Sequence, residues 1–223
     1  MNELRKTLAA KERYDIADLL AIMETLRAPD GCPWDAEQTH KTIRQNFIEE
    51  TYEVVEAIDT EDMTLLREEL GDVLLQVVFH ARMAEEAGVF SFADVANDIC
   101  AKLVHRHPHV FGTVQADTAE QVLTNWDTIK QQEKKRKSLT EELSGISRAL
   151  PALMRARKVA HKLAKRGHAF ACPYADMDTE SAKIAIGEAL FALCAAADKL
   201  EIDPEEALTR ASDAKIATVE VKQ

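Results

Sequence analysis

Phe47-Ile48-Glu49-Glu50-Thr51-Tyr52-Glu53-Val54-Val55-Glu56-Ala57-Ile58 is followed, after a break at Asp59-Thr60, by Leu65-Leu66-Arg67-Glu68-Glu69-Leu70-Gly71-Asp72-Val73-Leu74-Leu75-Gln76-Val77-Val78-Phe79-His80. Neither run alternates as a strand does, and both repeat at the helical period. In each run acids stand three apart: Glu50 with Glu53 in the first, Glu69 with Asp72 in the second. In a helix that spacing sets one side chain above the other on a single face. Two such pairs on antiparallel helices can turn their oxygens into one small volume, as metal sites in helical bundles do. The fold expected is all-α, a helical bundle.

The two runs differ in what they say about a site. A wheel at about 100° per residue puts Phe47, Val54, Val55 and Ile58 on one side of the first helix. Glu49, Glu50, Glu53 and Glu56 fall on the other, as on any solvated amphipathic helix. The second helix is apolar nearly all round, through Val73, Leu74, Leu75, Val77, Val78 and Phe79. Much of it should therefore be buried. Its narrow polar stripe holds Glu69, Asp72, Gln76 and His80. Carboxylates beside so much aliphatic surface are costly unless a cation or hydrogen-bond donors compensate. Ligation by carboxylates alone suits hard cations, Mg²⁺ or Mn²⁺, rather than zinc. A ferritin-like di-iron bundle would need two Glu-x-x-His pairs, and both pairs here end in an acid.

The rest of the chain agrees with a helical protein. Among 223 residues there are 7 Gly and 6 Pro, little material for hairpins, with 46% hydrophobic and 30% charged residues. Helices are expected over about 16–26, 41–58, 62–87 and 91–105, with Gly88 as a left-handed stop and Ser91 to Asp94 as a capping box. A fifth opens at Thr118 and ends in the basic run Lys134 to Lys137; three more cover about 150–165, 180–200 and 204–217. Gly31-Cys32-Pro33-Trp34-Asp35 reads as a loop carrying an aromatic anchor.

The formal net charge is −11, from 39 acids and 28 bases, which argues against nucleic acid and anionic lipid as partners. Cys32, Cys100, Cys172 and Cys194 form no C-x-x-C pair and read as reduced and mostly buried. With no signal-peptide core and no apolar run of spanning length, no membrane is expected, and a cytoplasmic protein is.

An internal echo divides the chain. Glu-Leu-Gly-Asp-Val-Leu-Leu at 69–75 is answered by Ala-Ile-Gly-Glu-Ala-Leu-Phe at 185–191. Gly71 stands 37 residues after Trp34, whereas Gly187 stands 17 after Phe170. The shortfall equals about one helix with its turn, and it removes the counterpart of 41–58. The expected organisation is a catalytic helical domain over 1–137, a linker over 138–149, and a truncated, degenerate second copy over 150–223, in tandem with the first.

With these motifs in order, the chain resembles the MazG family of nucleoside triphosphate pyrophosphohydrolases. The family signature is E-E-x-x-E, a spacer, then E-x-x-D. Here it reads Glu49-Glu50-x-x-Glu53, then Glu69-x-x-Asp72, with 15 residues between Glu53 and Glu69. The likeness extends to Gly31-Cys32-Pro33-Trp34-Asp35, to Arg106-His107-Pro108-His109-Val110-Phe111 and to Leu150-Pro151-Ala152-Leu153-Met154-Arg155-Ala156. It implies a domain that dimerises, so a homodimer is expected. It implies magnesium held by Glu50, Glu53, Glu69 and Asp72, with Glu49 beside them, and cleavage of a nucleoside triphosphate between the α- and β-phosphates. It also implies nucleotide contacts from Lys102 with Arg106, and from Trp126 with Lys130.

The second copy departs from this pattern. Its E-E-x-x-E helix is missing, E-x-x-D has become Ala185-x-x-Glu188, and Val219 stands where an arginine would match Arg106. The activity expected is therefore magnesium-dependent hydrolysis to a monophosphate and pyrophosphate, with its site in the first copy. The alternative is a catalytically inactive nucleotide-binding or dimerisation protein of regulatory use. Within the same superfamily, a narrow dUTP or phosphoribosyl-ATP pyrophosphatase competes.

Overall fold

The structure is a computed structural model that describes residues 3–133 and 138–220, apart from the side chains of 127, 130–133 and 220. Every regular element among them is a helix. The chain forms two compact units, 1–122 and 123–223.

The first unit is built on local signals that the structure honours. Helix α1 (Glu3–Ala9) precedes α2 (Ile16–Arg27), where Asp15 and Asp18 cap the helix reciprocally. The turn after α2 brings the Cys32 amide to the Leu26 carbonyl at 2.7 Å. A Cβ on Gly31 would stand 2.3 Å from that same carbonyl oxygen, so only glycine passes there. The expected loop that follows contains a short helix, α3 (Pro33–Glu37), with proline at its start. Trp34 is 59% exposed on it, against the anchoring role expected of it.

Helix α4 (Arg44–Asp59) and helix α5 (Met63–Glu86) make an antiparallel hairpin and the most extensive helix contact of the unit. Asp62 closes the connection by accepting hydrogen bonds from the Thr64 and Leu65 amides at 2.9 and 3.0 Å. Helix α5 stops where expected, with Gly88 at φ +67°. Helix α6 (Phe92–Arg106) starts from the Ser91–Asp94 capping box, and α7 (Pro108–Phe111) follows it. The core is Met23 from α2, Ile43 before α4, and Val78, Phe79 and Met83 from α5. Arg27 staples this core from above: it pairs with Glu86 at 2.7 Å, donates to the Asp35 carbonyl, and lies 5.4 Å from the Phe79 ring centre.

Helix α8 (Ala119–Glu133) carries the chain into the second unit; the basic run 134–137 expected at its end lies outside the described residues. The stretch expected as a linker holds helix α9 (Leu139–Ser144) instead, capped by Ser138 and Glu141. Leu139, Leu143 and Ile146 from that stretch pack with Val159 and Leu163 of α10 (Ala152–Lys165) and with Ile216 and Val219 of α12 (Pro204–Glu220). Its leucines are four apart, which makes it part of a core rather than a tether. Between them in sequence, α11 (Thr179–Lys199) has no buried residue.

The cysteines carry no disulfide, but the burial expected of them fails: Cys100, Cys172 and Cys194 are exposed and Cys32 is half-buried. Among the described residues no helix is long and apolar enough to cross a membrane.

Candidate metal centre

Packing decides which face of α4 looks inward. Ile43, Phe47, Glu50, Val54 and Ala57 recur at the helical period, and every one of them is buried or half-buried. Glu50 therefore sits on the face turned to α5, among apolar neighbours, and not on the solvated side the wheel gave it. Val55 and Ile58, placed inward by that wheel, are 45% and 53% exposed.

On α5 the stripe Glu69, Asp72, Gln76 and His80 turns toward this face. Glu50, Glu69 and Asp72 each bring a carboxylate oxygen to within 4.8 Å of the others. Glu69 is the most enclosed, at 9% exposure, while Glu50 and Asp72 are half-buried. Glu53, one turn from Glu50, is exposed and falls outside the convergent three, close enough for its charge to act on both Glu50 and Glu69. Glu49 is exposed on the flank of α4, outside this convergence.

The electrostatics follow from that crowding. Burial, first, and then the Asp72 and Glu53 charges raise the Glu50 carboxyl above the ordinary range. Burial, followed by Glu53 and Asp72, does the same for Glu69. Like charges in one half-buried volume hold protons until something positive replaces them. The donors are all hard oxygens, and they come from two helices rather than one, so the set fits a divalent cation such as Mg²⁺ or Mn²⁺. No other group of three acids, histidines or cysteines among the described residues converges in this way.

The remaining expected site residues are less concentrated. Lys102, exposed, and Arg106, half-buried, stand one turn apart on α6, which packs on α5. Trp126 is half-buried on α8 in the second unit, and the Lys130 side chain lies outside the described residues. In the second unit Glu188 is exposed on α11. A cavity of about 400 Å³ lies behind α5, lined by Leu20, Glu24, Val78, Arg82 and Phe92, and is separate from the acids.

Sequence reading passed over His40 and made no use of His80. Their Nδ1 atoms stand 2.8 Å apart with the ring planes parallel, and Phe47 meets His80 edge-on. His80 was visible only as part of the polar stripe; nothing in sequence joins it to a residue forty positions earlier.

Residues 38–111 match the family described as the MazG nucleotide pyrophosphohydrolase domain, a span that contains all four acids with Lys102 and Arg106. A protein of Escherichia coli K12 named nucleoside triphosphate pyrophosphohydrolase is 51% identical over 150 residues, 67% of this chain and 57% of that protein. The chain thus spans well under two thirds of that relative. A Thermotoga maritima protein named nucleoside triphosphate pyrophosphohydrolase/pyrophosphatase MazG is 38% identical over 209 residues, 87% of this chain and 80% of that one. A solved structure of a mazG-related protein from Thermotoga maritima, 27% identical, covers 52% of this chain and 99% of its own with a TM-score of 0.45. With the matched domain enclosing the acidic helices, and identity running over four fifths of a full-length relative, the chain belongs to the MazG family of nucleotide pyrophosphohydrolases.

Proposed function

We propose that the protein hydrolyses nucleoside triphosphates to a nucleoside monophosphate and pyrophosphate, with magnesium, at the acidic cluster of the first unit. The observation that carries this reading is the meeting of Glu50, Glu69 and Asp72 from two helices, with Glu50 and Glu69 holding protons unusually tightly. The relatives' names support the reaction, and the donor chemistry supports the ion.

Glu50, Glu53, Glu69 and Asp72 would hold the cation. Bound there, Mg²⁺ supplies the positive charge against which triphosphate oxygens can lie, in a protein of formal net charge −11. The chain's own residues do the rest. The cluster orients the triphosphate so that water meets the α-phosphorus opposite the pyrophosphate. One bond forms, from water oxygen to the α-phosphorus, and one breaks, between that phosphorus and the bridging oxygen to the β-phosphate. A carboxylate at the solvent edge outside the four ligands, Glu49 or a neighbour, takes the water's proton. Lys102 and Arg106 carry the cationic groups that offset charge on the leaving pyrophosphate. Trp126 and Lys130 come to this reading from the family likeness alone, as base-stacking and phosphate-binding groups.

We further infer a homodimer working in the cytoplasm. Ile48, Tyr52 and Val55 of α4 and Leu70 and Leu74 of α5 are exposed, an apolar surface that a second copy would cover. The stretch 150–223, which lacks the E-E-x-x-E helix and carries Ala185-x-x-Glu188 in place of E-x-x-D, is read as a degenerate copy.

A nucleotide panel with Mg²⁺ tests the reaction, with pyrophosphate and orthophosphate measured separately. Pyrophosphate should appear in step with monophosphate, and Glu50→Gln or Asp72→Asn should lower the rate by on the order of 100-fold or more. Orthophosphate as sole inorganic product would refute the cleavage position. Nucleotide binding without any product would refute the activity.

A further inference from the structure

The polar stripe of α5 does not end at the acids. Gln76 lies one turn beyond Asp72 and His80 one turn beyond that. The stripe meets α4 on both sides of Gln76: at the acids through Glu50, and at His80 through the edge of Phe47. Gln76 thus lies within the same seam. It is 7% exposed, and its Oε1 has no hydrogen-bond partner among the described residues. A desolvated amide oxygen left unpaired costs stability, and a leucine would fill such a place without that cost. Beyond Gln76 the seam reaches the His40–His80 pair, whose Nδ1 atoms stand 2.8 Å apart with the ring planes parallel.

We propose that Gln76 reads the nucleoside part of the substrate, its Oε1 accepting a hydrogen bond from an N–H or O–H of the nucleoside while the phosphates lie at the acids. This rests on the reading of the acidic cluster as the triphosphate site. Four residues of helix carry the seam about 6 Å from Asp72 to Gln76, and eight carry it about 12 Å to His80, a span that a nucleoside attached to phosphates at the acids can reach. Three kinds of donor have this chemistry: the exocyclic amino group of adenine, guanine or cytosine, the ring N–H of guanine or uracil, and a sugar hydroxyl.

The test uses the full chain with Gln76→Leu and, as a second unbranched replacement, Gln76→Met. Both lose the acceptor and keep the volume. Each is compared with the parent for its cation-free melting midpoint, for the rise in that midpoint caused by nucleotide with Mg²⁺, and for KM and kcat of pyrophosphate release. The substrates are ATP, GTP, CTP, UTP and their 2′,3′-dideoxy counterparts. Both variants should melt no lower than the parent. KM should rise about tenfold with kcat within about twofold, the worth of one hydrogen bond. An amino donor spares UTP from that rise, a ring N–H donor spares ATP and CTP, and a sugar donor spares the dideoxy nucleotides.

The proposal is overturned if KM and the nucleotide-induced rise in melting are unchanged for every nucleotide. A rise in KM of equal size for all nucleotides, dideoxy included, overturns it too, as does a fall in kcat with KM held. A parent that binds nucleotide without turnover would sink the proposed activity, and the melting shifts of the two variants would still decide the role of Gln76.

Discussion

At the scale of single residues, the acids are set against one another in the absence of a cation. Asp72 raises the carboxyls of both Glu50 and Glu69, so removing its charge relieves a repulsion and destroys a ligand at once. Asp72→Asn should therefore raise the cation-free melting midpoint while abolishing turnover, and a calorimetric scan beside a pyrophosphate assay checks both signs. The pH dependence has a definite direction. Glu50 and Glu69 bind a proton more tightly in the folded than in the unfolded chain. Through the window between their ordinary and raised values the native state holds more protons, and stability from these two groups falls as pH rises. A divalent cation replaces those protons. The increase in melting midpoint on adding Mg²⁺ should consequently be larger at pH 8 than at pH 5. An increment that did not grow with pH would mean the cation binds elsewhere.

At the scale of elements, the α4–α5 hairpin is what gives the acids their geometry, and short-range contacts hold it. Asp62 caps α5 with two amide hydrogen bonds and fixes where the first turn of that helix begins. Asp62→Ala should lower stability by about 1 kcal/mol, the usual loss for such a cap, measured by urea unfolding. Arg27 ties α2 and the 35–38 turn to the end of α5, with its side chain 7% exposed and its guanidinium bonded to Glu86. Arg27→Ala should cost about 1–2 kcal/mol, since it leaves the Asp35 and Gln38 carbonyls without their donor while Glu86 keeps Arg82 at 3.0 Å. Arg27→Lys should recover little, because an ammonium cannot bond the carboxylate and the backbone from one plane. Helix boundaries of this kind were legible in sequence. Ser91 with Asp94, Asp203 ahead of Pro204, and Gly88 are signals that act over one turn, and each does what its chemistry demands. The short helix α3 was not legible, because five residues carry too few periodic positions to be told from a loop, whereas Ser138 with Glu141 did mark a helix start that the linker reading passed over.

At the scale of the whole molecule, the apolar residues left outside are the main unexplained surface of α4 and α5. Ile48, Tyr52 and Val55 should be covered in a dimer, so sedimentation at micromolar concentration should give twice the 24.9 kDa chain mass. Val55→Asp should shift that equilibrium toward monomer, and a parent that sediments as a monomer throughout would remove the dimer from the account.

The residue pattern alone determined a helical protein, its main helix ends, and two acid pairs at triplet spacing on neighbouring helices. These depend on interactions within about one turn, which order of residues specifies. Tertiary structure decided that Glu50 faces inward with Phe47, Val54 and Ala57, that Glu49 stays outside the cluster, and that His40 finds His80. On α4 apolar residues occur on both flanks of the acids, so periodicity offers two inward faces of similar merit. Only the shape and polarity of α5 opposite chooses between them.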